Sequence, residues 1–328
     1  MLFDDSPPSP PLIGIARLAA QSSVLEAKSR VQYFEIETRS VLNRTKPGMP
    51  FCWTINPYRG CEFACRYCYA RYTHEFMGME DVTLFEDRIY AKSHLAPLLR
   101  QELRKIDPEE AIAIGTATDP YQPAERRFRR TRAVLEVFAA RRGLRLSITT
   151  KSDLVTRDVD LLQQIAAGNS LAVNITITTL DRDLACLLEP RAPRPDLRLR
   201  AVRTLADAGI RVGVFPNPIL PLITDSELRL DQLARAARDA GASHFGGGLL
   251  FLMPVARKVF FPFLSEHFPH LLKKYVDRYT RSAYLRGEYA DLIRERVRAI
   301  RARYDFDHGP MEHMPPQVAT RQPALFEM

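Results

Sequence analysis

Cys61-Glu62-Phe63-Ala64-Cys65-Arg66-Tyr67-Cys68-Tyr69 places three thiols on one short loop at the spacing C-x3-C-x2-C. Thiolates are soft donors that select iron–sulfur clusters, zinc or copper(I). Three of them on a tight loop can hold three corners of an iron–sulfur cubane and leave the fourth iron to another ligand. The same thiols with His74 also make a Cys3His set, whose ligand types suit a structural zinc ion. A closed zinc site asks nothing of the rest of the chain, so the surroundings of the loop decide between the two.

Working outward, residues 51–56 read as a buried strand, and Pro57-Tyr58-Arg59-Gly60 turns the chain into the loop. Downstream, short apolar or β-branched runs at 111–116, 145–150, 172–178, 210–215 and 244–250 alternate with helical spacing of Leu, Ala, Val and Ile at 93–106, 129–142, 158–167, 197–208 and 226–240. With the strand before the cysteines these make six βα units, which predicts an α/β fold with a parallel sheet curled into a partial (β/α)6 TIM-like barrel. Barrels of this kind keep their chemistry at the C-terminal ends of the strands. The cysteine loop lies at such an end.

The expected organisation is an irregular N-terminal arm over 1–45, relieved by a short strand at 33–37, then the barrel over 46–255. A basic helical C-terminal extension follows over 256–304, and a flexible tail over 305–328. The chain of 328 residues is 46% hydrophobic and 26% charged, the balance of a soluble globular protein. Five cysteines, an odd number with three clustered, fit a metal site in a reducing compartment better than a disulfide framework, so a cytoplasmic location is expected. The apolar run at 12–20 is too short and interrupted to span a bilayer, so no membrane is expected.

On the fourth strand of the series, Asn174, Thr176 and Thr178 share one face while Val173, Ile175 and Ile177 share the other. A polar face towards a barrel lumen suits a cavity for a polar cofactor.

These features resemble the radical S-adenosylmethionine (SAM) superfamily, and within it the spore photoproduct lyase-like group. The phrases that carry the resemblance are Asn56-Pro57-Tyr58-Arg59-Gly60-Cys61, Thr116-Ala117-Thr118-Asp119-Pro120-Tyr121-Gln122-Pro123, Ile148-Thr149-Thr150-Lys151-Ser152 and Leu188-Glu189-Pro190-Arg191-Ala192-Pro193. The resemblance implies a [4Fe–4S] cluster on Cys61, Cys65 and Cys68, with SAM on the open iron. Reductive cleavage would give a 5′-deoxyadenosyl radical that takes hydrogen from a substrate. Thr118, Asp119 and Lys151 would contact the amino-acid part and ribose of SAM, Arg191 its carboxylate, and Tyr67 the cofactor as well. Tyr67 and Tyr69 would act as a hydrogen-atom relay or pack over the cluster. The hydrogen-donating cysteine that the spore enzyme carries after its second strand has no counterpart in Gly115-Thr116-Ala117-Thr118-Asp119. Cys186, in an apolar run, reads as a core residue.

The formal charge of +8 favours a polyanionic partner. Two basic stretches offer themselves: 126–132, and the Arg- and Tyr-rich 278–303, whose acids Glu288, Asp291 and Glu295 favour a self-paired helix face. Gln322-Pro323-Ala324-Leu325-Phe326 looks like the Q-x-x-L-F peptide that docks on the replicative sliding clamp. The expected target is a nucleic-acid base, repaired or modified, with a flavodoxin or ferredoxin type electron donor. A small molecule or peptide is the alternative substrate, and a non-catalytic zinc or Fe–S nucleic-acid-binding module the alternative class.

Overall fold

The structure, a computed structural model, describes residues 13–22, 24–27 and 30–307. Its strands are β1 (Val24–Ala27), β2 (Gln32–Ile36), β3 (Asn43–Arg44), β4 (Trp53–Ile55), β5 (Tyr58–Arg59), β6 (Arg88–Lys92), β7 (Ala111–Ile114), β8 (Arg145–Thr150), β9 (Ser170–Thr176), β10 (Val212–Phe215) and β11 (His244–Phe245). The larger sheet runs β11-β10-β9-β8-β7-β4-β3. β4 and β7 to β11 are parallel, and β3 closes one edge antiparallel to β4. This is the expected parallel α/β architecture, open between β3 and β11 rather than closed into a barrel.

Parallel strands covered by helices are buried on both faces and read as continuous apolar runs. β7, Ala-Ile-Ala-Ile, is buried throughout, as are all seven residues of β9. The helices between them turn their apolar stripe to this sheet: Leu161, Leu162 and Ile165 from Val159–Ala166, and Ala201, Val202 and Leu205 from Pro195–Asp207. Their starts are set by local chemistry. Asp181 accepts from the Leu184 amide at 3.1 Å, Ser226 accepts from the Arg229 amide, and Pro195 occupies the first turn where its missing N–H costs nothing.

The N-terminal residues depart from the expected irregular arm. Gly14–Ala20 is helical, and β1 and β2 join β6 and β5 in a second sheet of order β1-β2-β6-β5. β2 and β6 are parallel over five paired residues, a long-range pairing invisible in the local pattern of either strand. The sheet also anchors the cysteine loop, because the Tyr33 hydroxyl on β2 donates to Glu62 at 2.8 Å.

The C-terminal extension comprises the helices Pro254–His267, Pro269–Tyr279 and Glu288–Arg303. The first two send Phe260, Phe263, Leu264, Leu271 and Tyr275 into an apolar cluster shared with Phe63, Cys65 and Tyr67. The third lays Ile293, Val297 and Ile300 on the main core. On its outer face Arg294 pairs with Asp291 and Arg298 with Glu295, so this helix spends much of its basic charge on itself. No helix among the described residues is long and apolar enough to cross a membrane. Gln322 to Phe326, the clamp-like peptide, lies outside the described residues.

Candidate functional site

Gly60 starts the cysteine loop with φ of +79°, and a Cβ there would lie 2.7 Å from the Arg88 carbonyl oxygen and 2.8 Å from that of Phe85. Only glycine fits so close an approach of backbones. The Gly60 carbonyl accepts from the Thr118 hydroxyl at 2.6 Å and from Gln122 Nε2 at 3.1 Å, while Gln122 Oε1 accepts from the Glu62 amide at 3.0 Å. Arg71, fully buried, donates to the Cys65 carbonyl at 3.2 Å and to Glu86 at 2.5 Å. The Arg66 amide donates to the Leu188 carbonyl. The loop is held by the second sheet, by the end of β7 and by the segment after β9.

Within this frame the three thiols are free, Cys61 and Cys65 buried and Cys68 half-buried. Burial pushes all three up, Cys65 to about 12, so each is a neutral thiol until a cation charges it. His74, the fourth ligand that a zinc site would need, is engaged elsewhere. Its Nε2 meets the Arg88 carbonyl at 3.0 Å, its ring packs against Phe85 and Tyr90, and burial lowers its pKa to about 4. Among the described residues no three His, Cys, Asp or Glu side chains converge as ligands of one ion. The donor set, all sulfur on a buried loop with an apolar shell, fits an iron–sulfur cluster.

The residues expected at the strand ends gather beside the loop. Asp119 accepts from the Thr150 hydroxyl at 2.6 Å, from the Lys151 amide at 2.7 Å and from the Tyr121 amide at 2.9 Å. Burial raises its pKa despite those donors. Burial also works against the charge of Lys151, but Cys65 once deprotonated, Glu189 and Asp119 outweigh it and raise the amine above the usual lysine range. Lys151 Nζ lies 4.0 Å from Glu189 Oε1 and 5.8 Å from the centre of the Tyr67 ring.

Glu189 is the centre that the sequence reading passed over, although it stands in one of the quoted phrases. Its Oε1 accepts from the Thr178 hydroxyl at 2.7 Å and from the Tyr67 hydroxyl, and Arg198 Nη2 lies 2.5 Å from its Oε2. Burial opposes its charge, yet Arg198, Lys151 and the two hydroxyls hold the carboxyl below the usual range. The Tyr67 phenol is pushed well up by burial and by Glu189. Arg198, itself buried, also donates to the Thr176 carbonyl at 3.0 Å. An arginine in mid-helix gives no local sign of such a role.

The polar residues expected on one strand face, Asn174, Thr176 and Thr178, divide between two layers, with Thr178 two residues past the end of β9. Thr178 reaches the Tyr67–Glu189 pair, whereas Asn174 Oδ1 meets His244 Nε2 at 2.7 Å across Gly213, where a Cβ would overlap the imidazole. Thr176 is buried between them on the same face. Thr118 spends its hydroxyl on Gly60, and Arg191 pairs with Asp87 at 3.2 Å. Tyr69 is 37% exposed at the rim, its hydroxyl donating to the Thr116 carbonyl. Cys186, read as core, is exposed on the helix Arg182–Leu188, because the apolar stripe of that helix falls on Leu184, Ala185 and Leu188 instead. A cleft of about 420 Å³ opens beside Thr178 between residues 178–181 and the helix Glu227–Asp239.

The family model of the radical SAM superfamily matches residues 55–244. An uncharacterized protein of Mycobacterium tuberculosis is 35% identical over 305 residues, covering 91% of this chain and 89% of its own length. One from Methanocaldococcus jannaschii is 33% identical over 61% of this chain and 72% of its own. Among solved structures, a spore photoproduct lyase mutant superposes with a TM-score of 0.61 at 17% identity, covering 83% of this chain and 79% of that one. A spore photoproduct lyase with bound AdoMet and dinucleoside spore photoproduct gives 0.59 at 16%, over 82% and 79%. At these identities the likeness is one of fold.

Proposed function

The chain belongs to the radical SAM superfamily and is a radical SAM enzyme, and from that premise we propose that Cys61, Cys65 and Cys68 hold a [4Fe–4S] cluster with SAM on its open iron, and that the target is a nucleic-acid base. When bound, cluster and SAM supply a 5′-deoxyadenosyl radical for hydrogen abstraction. The observation that carries the reading is the meeting of the three thiols with Lys151 and Asp119, beyond the C-terminal ends of β8 and β7, and with Glu189 at the end of the helix Arg182–Leu188.

The chain's own residues bind and shield. Lys151 and Asp119 offer opposite charges to the amino-acid part and ribose of SAM. Glu189, fixed by Arg198, holds the Tyr67 hydroxyl in one orientation beside Cys65. The apolar cluster of Phe63, Phe260 and Leu264 keeps water from the thiols. Tyr69 stands at the rim, where a hydrogen-atom relay would have to meet substrate.

Support for a nucleic-acid target comes from the charge of +8 and from the exposed Arg126 and Arg129, which have no ion-pair partner among the described residues. A similar fold has been solved with a dinucleoside spore photoproduct bound. A flavodoxin or ferredoxin type donor would supply the electron, and Gln322 to Phe326 would bring the enzyme to a sliding clamp; a clamp pull-down unchanged by Leu325→Ala with Phe326→Ala would end the latter idea. To test the target, reduced enzyme is incubated with SAM and base-deuterated oligonucleotides. Deuterium in 5′-deoxyadenosine supports a base as hydrogen donor, and label arriving only from peptides or small molecules overturns it.

A further inference from the structure

Five aromatic rings form a continuous ladder across the rim: Phe76, Tyr72, Tyr69, Phe251 and Tyr284, with successive centroids 5.5, 6.5, 5.8 and 4.5 Å apart. The first three follow Cys68 directly, Phe251 lies beyond β11, and Tyr284 lies between the last two helices. The ladder therefore joins residues that follow the thiol loop to the segments after β11 and before the last helix.

Its exposure is selective. Phe76 is 64% exposed, Tyr284 58% and Tyr69 37%, and these are all the exposed Phe, Tyr or Trp side chains among the described residues. The exposed aliphatic side chains Ile13, Leu187, Leu222, Leu228, Val276 and Leu292 are scattered over separate elements. A contiguous aromatic stripe left in water marks an interaction surface. Cations accompany it. The exposed Arg281 and Arg286 flank Tyr284 in sequence without an ion-pair partner among the described residues. Glu75 and Glu288 are the acids nearest in sequence to the two ends.

Aromatic faces beside cations are the chemistry that takes unpaired bases, since every base has a π-face while the phosphates need counter-charge. In a duplex the bases are hidden between their neighbours and offer no face. We propose that the ladder is a docking track for a single-stranded or locally unpaired stretch of nucleic acid, with bases stacked on Phe76 and Tyr284 on either side of Tyr69 and phosphates against Arg281 and Arg286. This rests on the reading of a nucleic-acid base as target, and it narrows that target to unpaired strands.

The test is fluorescence anisotropy of a labelled oligothymidylate with the full chain at fixed salt. Phe76→Ala and Tyr284→Ala each weaken binding roughly tenfold, while Phe76→Trp and Tyr284→Trp retain it. Leu292→Ala, at an exposed apolar residue outside the ladder, leaves it unchanged, and a duplex of equal length binds more weakly than the single strand. Arg281→Gln and Arg286→Gln each reduce the salt slope by about one. Wild-type affinity in both alanine variants overturns the ladder and leaves the nucleic-acid target standing. Absence of salt-sensitive binding to any oligonucleotide overturns both.

Discussion

Arg198 Nη2 lies 2.5 Å from Glu189 Oε2, and both side chains are buried. The pair fixes the carboxylate that receives the Tyr67 and Thr178 hydroxyls. Removing one partner strands the other charge in a poorly solvated site, with Lys151 4.0 Å away as the remaining cation. Arg198→Met should therefore lose about 3–5 kcal/mol of stability, read as a lower denaturant midpoint. An Arg198→Met chain as stable as wild type would show that the pair is not holding the segment.

Thr118 ties the end of β7 to the residue before the first cysteine through its 2.6 Å bond to the Gly60 carbonyl. Thr118→Val keeps the shape and removes the donor, leaving Gln122 at 3.1 Å as the partner. The expected cost is about 1–2 kcal/mol, together with faster loss of iron from the loaded protein. Gly60→Ala should be worse, because it adds a methyl group 2.7 Å from a carbonyl oxygen at a left-handed φ. A Gly60→Ala chain that retained iron like wild type would contradict this account of the loop.

Two buried histidines set an acid limit. Burial lowers His74 from 6.5 to about 4 and His244 from 6.5 to about 3. As pH falls below 6.5 the unfolded chain takes up these protons and the folded one does not, so stability falls by roughly 1.4 kcal/mol per pH unit for each histidine. The loss from His74 ends near its folded value of about 4. Denaturant midpoints between pH 8 and 5 check this. His74→Gln, which keeps a donor for the Arg88 carbonyl, should flatten the slope by about half. An unchanged slope would place the protonation elsewhere.

Lys92 is buried on β6, and burial with Arg59 nearby pushes its pKa down to about 7. The unfolded chain binds that proton more tightly between about pH 7 and 10, so stability rises with pH across this window. Lys92→Met should stabilise the protein at pH 7 by on the order of 2–4 kcal/mol, an advantage that disappears by about pH 10.5. Destabilisation by Lys92→Met would mean that the amine is held by a favourable anion.

The sequence made the βα series and the thiol loop legible because both are local patterns. Alternating apolar runs located β7 to β10 within a few residues, although only His244–Phe245 of the run at 244–250 forms β11, and C-x3-C-x2-C needs no tertiary information. The second sheet was hidden because β2 and β6 pair across some 55 residues of chain and carry no joint signal. Glu189 and Arg198 were missed for a related reason. A glutamate at a helix end and an arginine within the next helix look like surface charges until the fold buries them against Tyr67. Thr118 stood in a correctly chosen phrase, yet its hydroxyl is bonded to Gly60, a partner that only the loop geometry reveals.

The central claim is that Cys61, Cys65 and Cys68 hold a redox-active cluster that serves SAM. Anaerobic reconstitution with iron and sulfide, followed by reduction in the presence of SAM, tests it most directly. The account predicts the iron and acid-labile sulfide of one [4Fe–4S] cluster per chain and reductant-dependent 5′-deoxyadenosine, both lost in Cys61→Ala, Cys65→Ala and Cys68→Ala. Zinc in place of iron, or a loaded cluster that yields no 5′-deoxyadenosine from SAM, would contradict it.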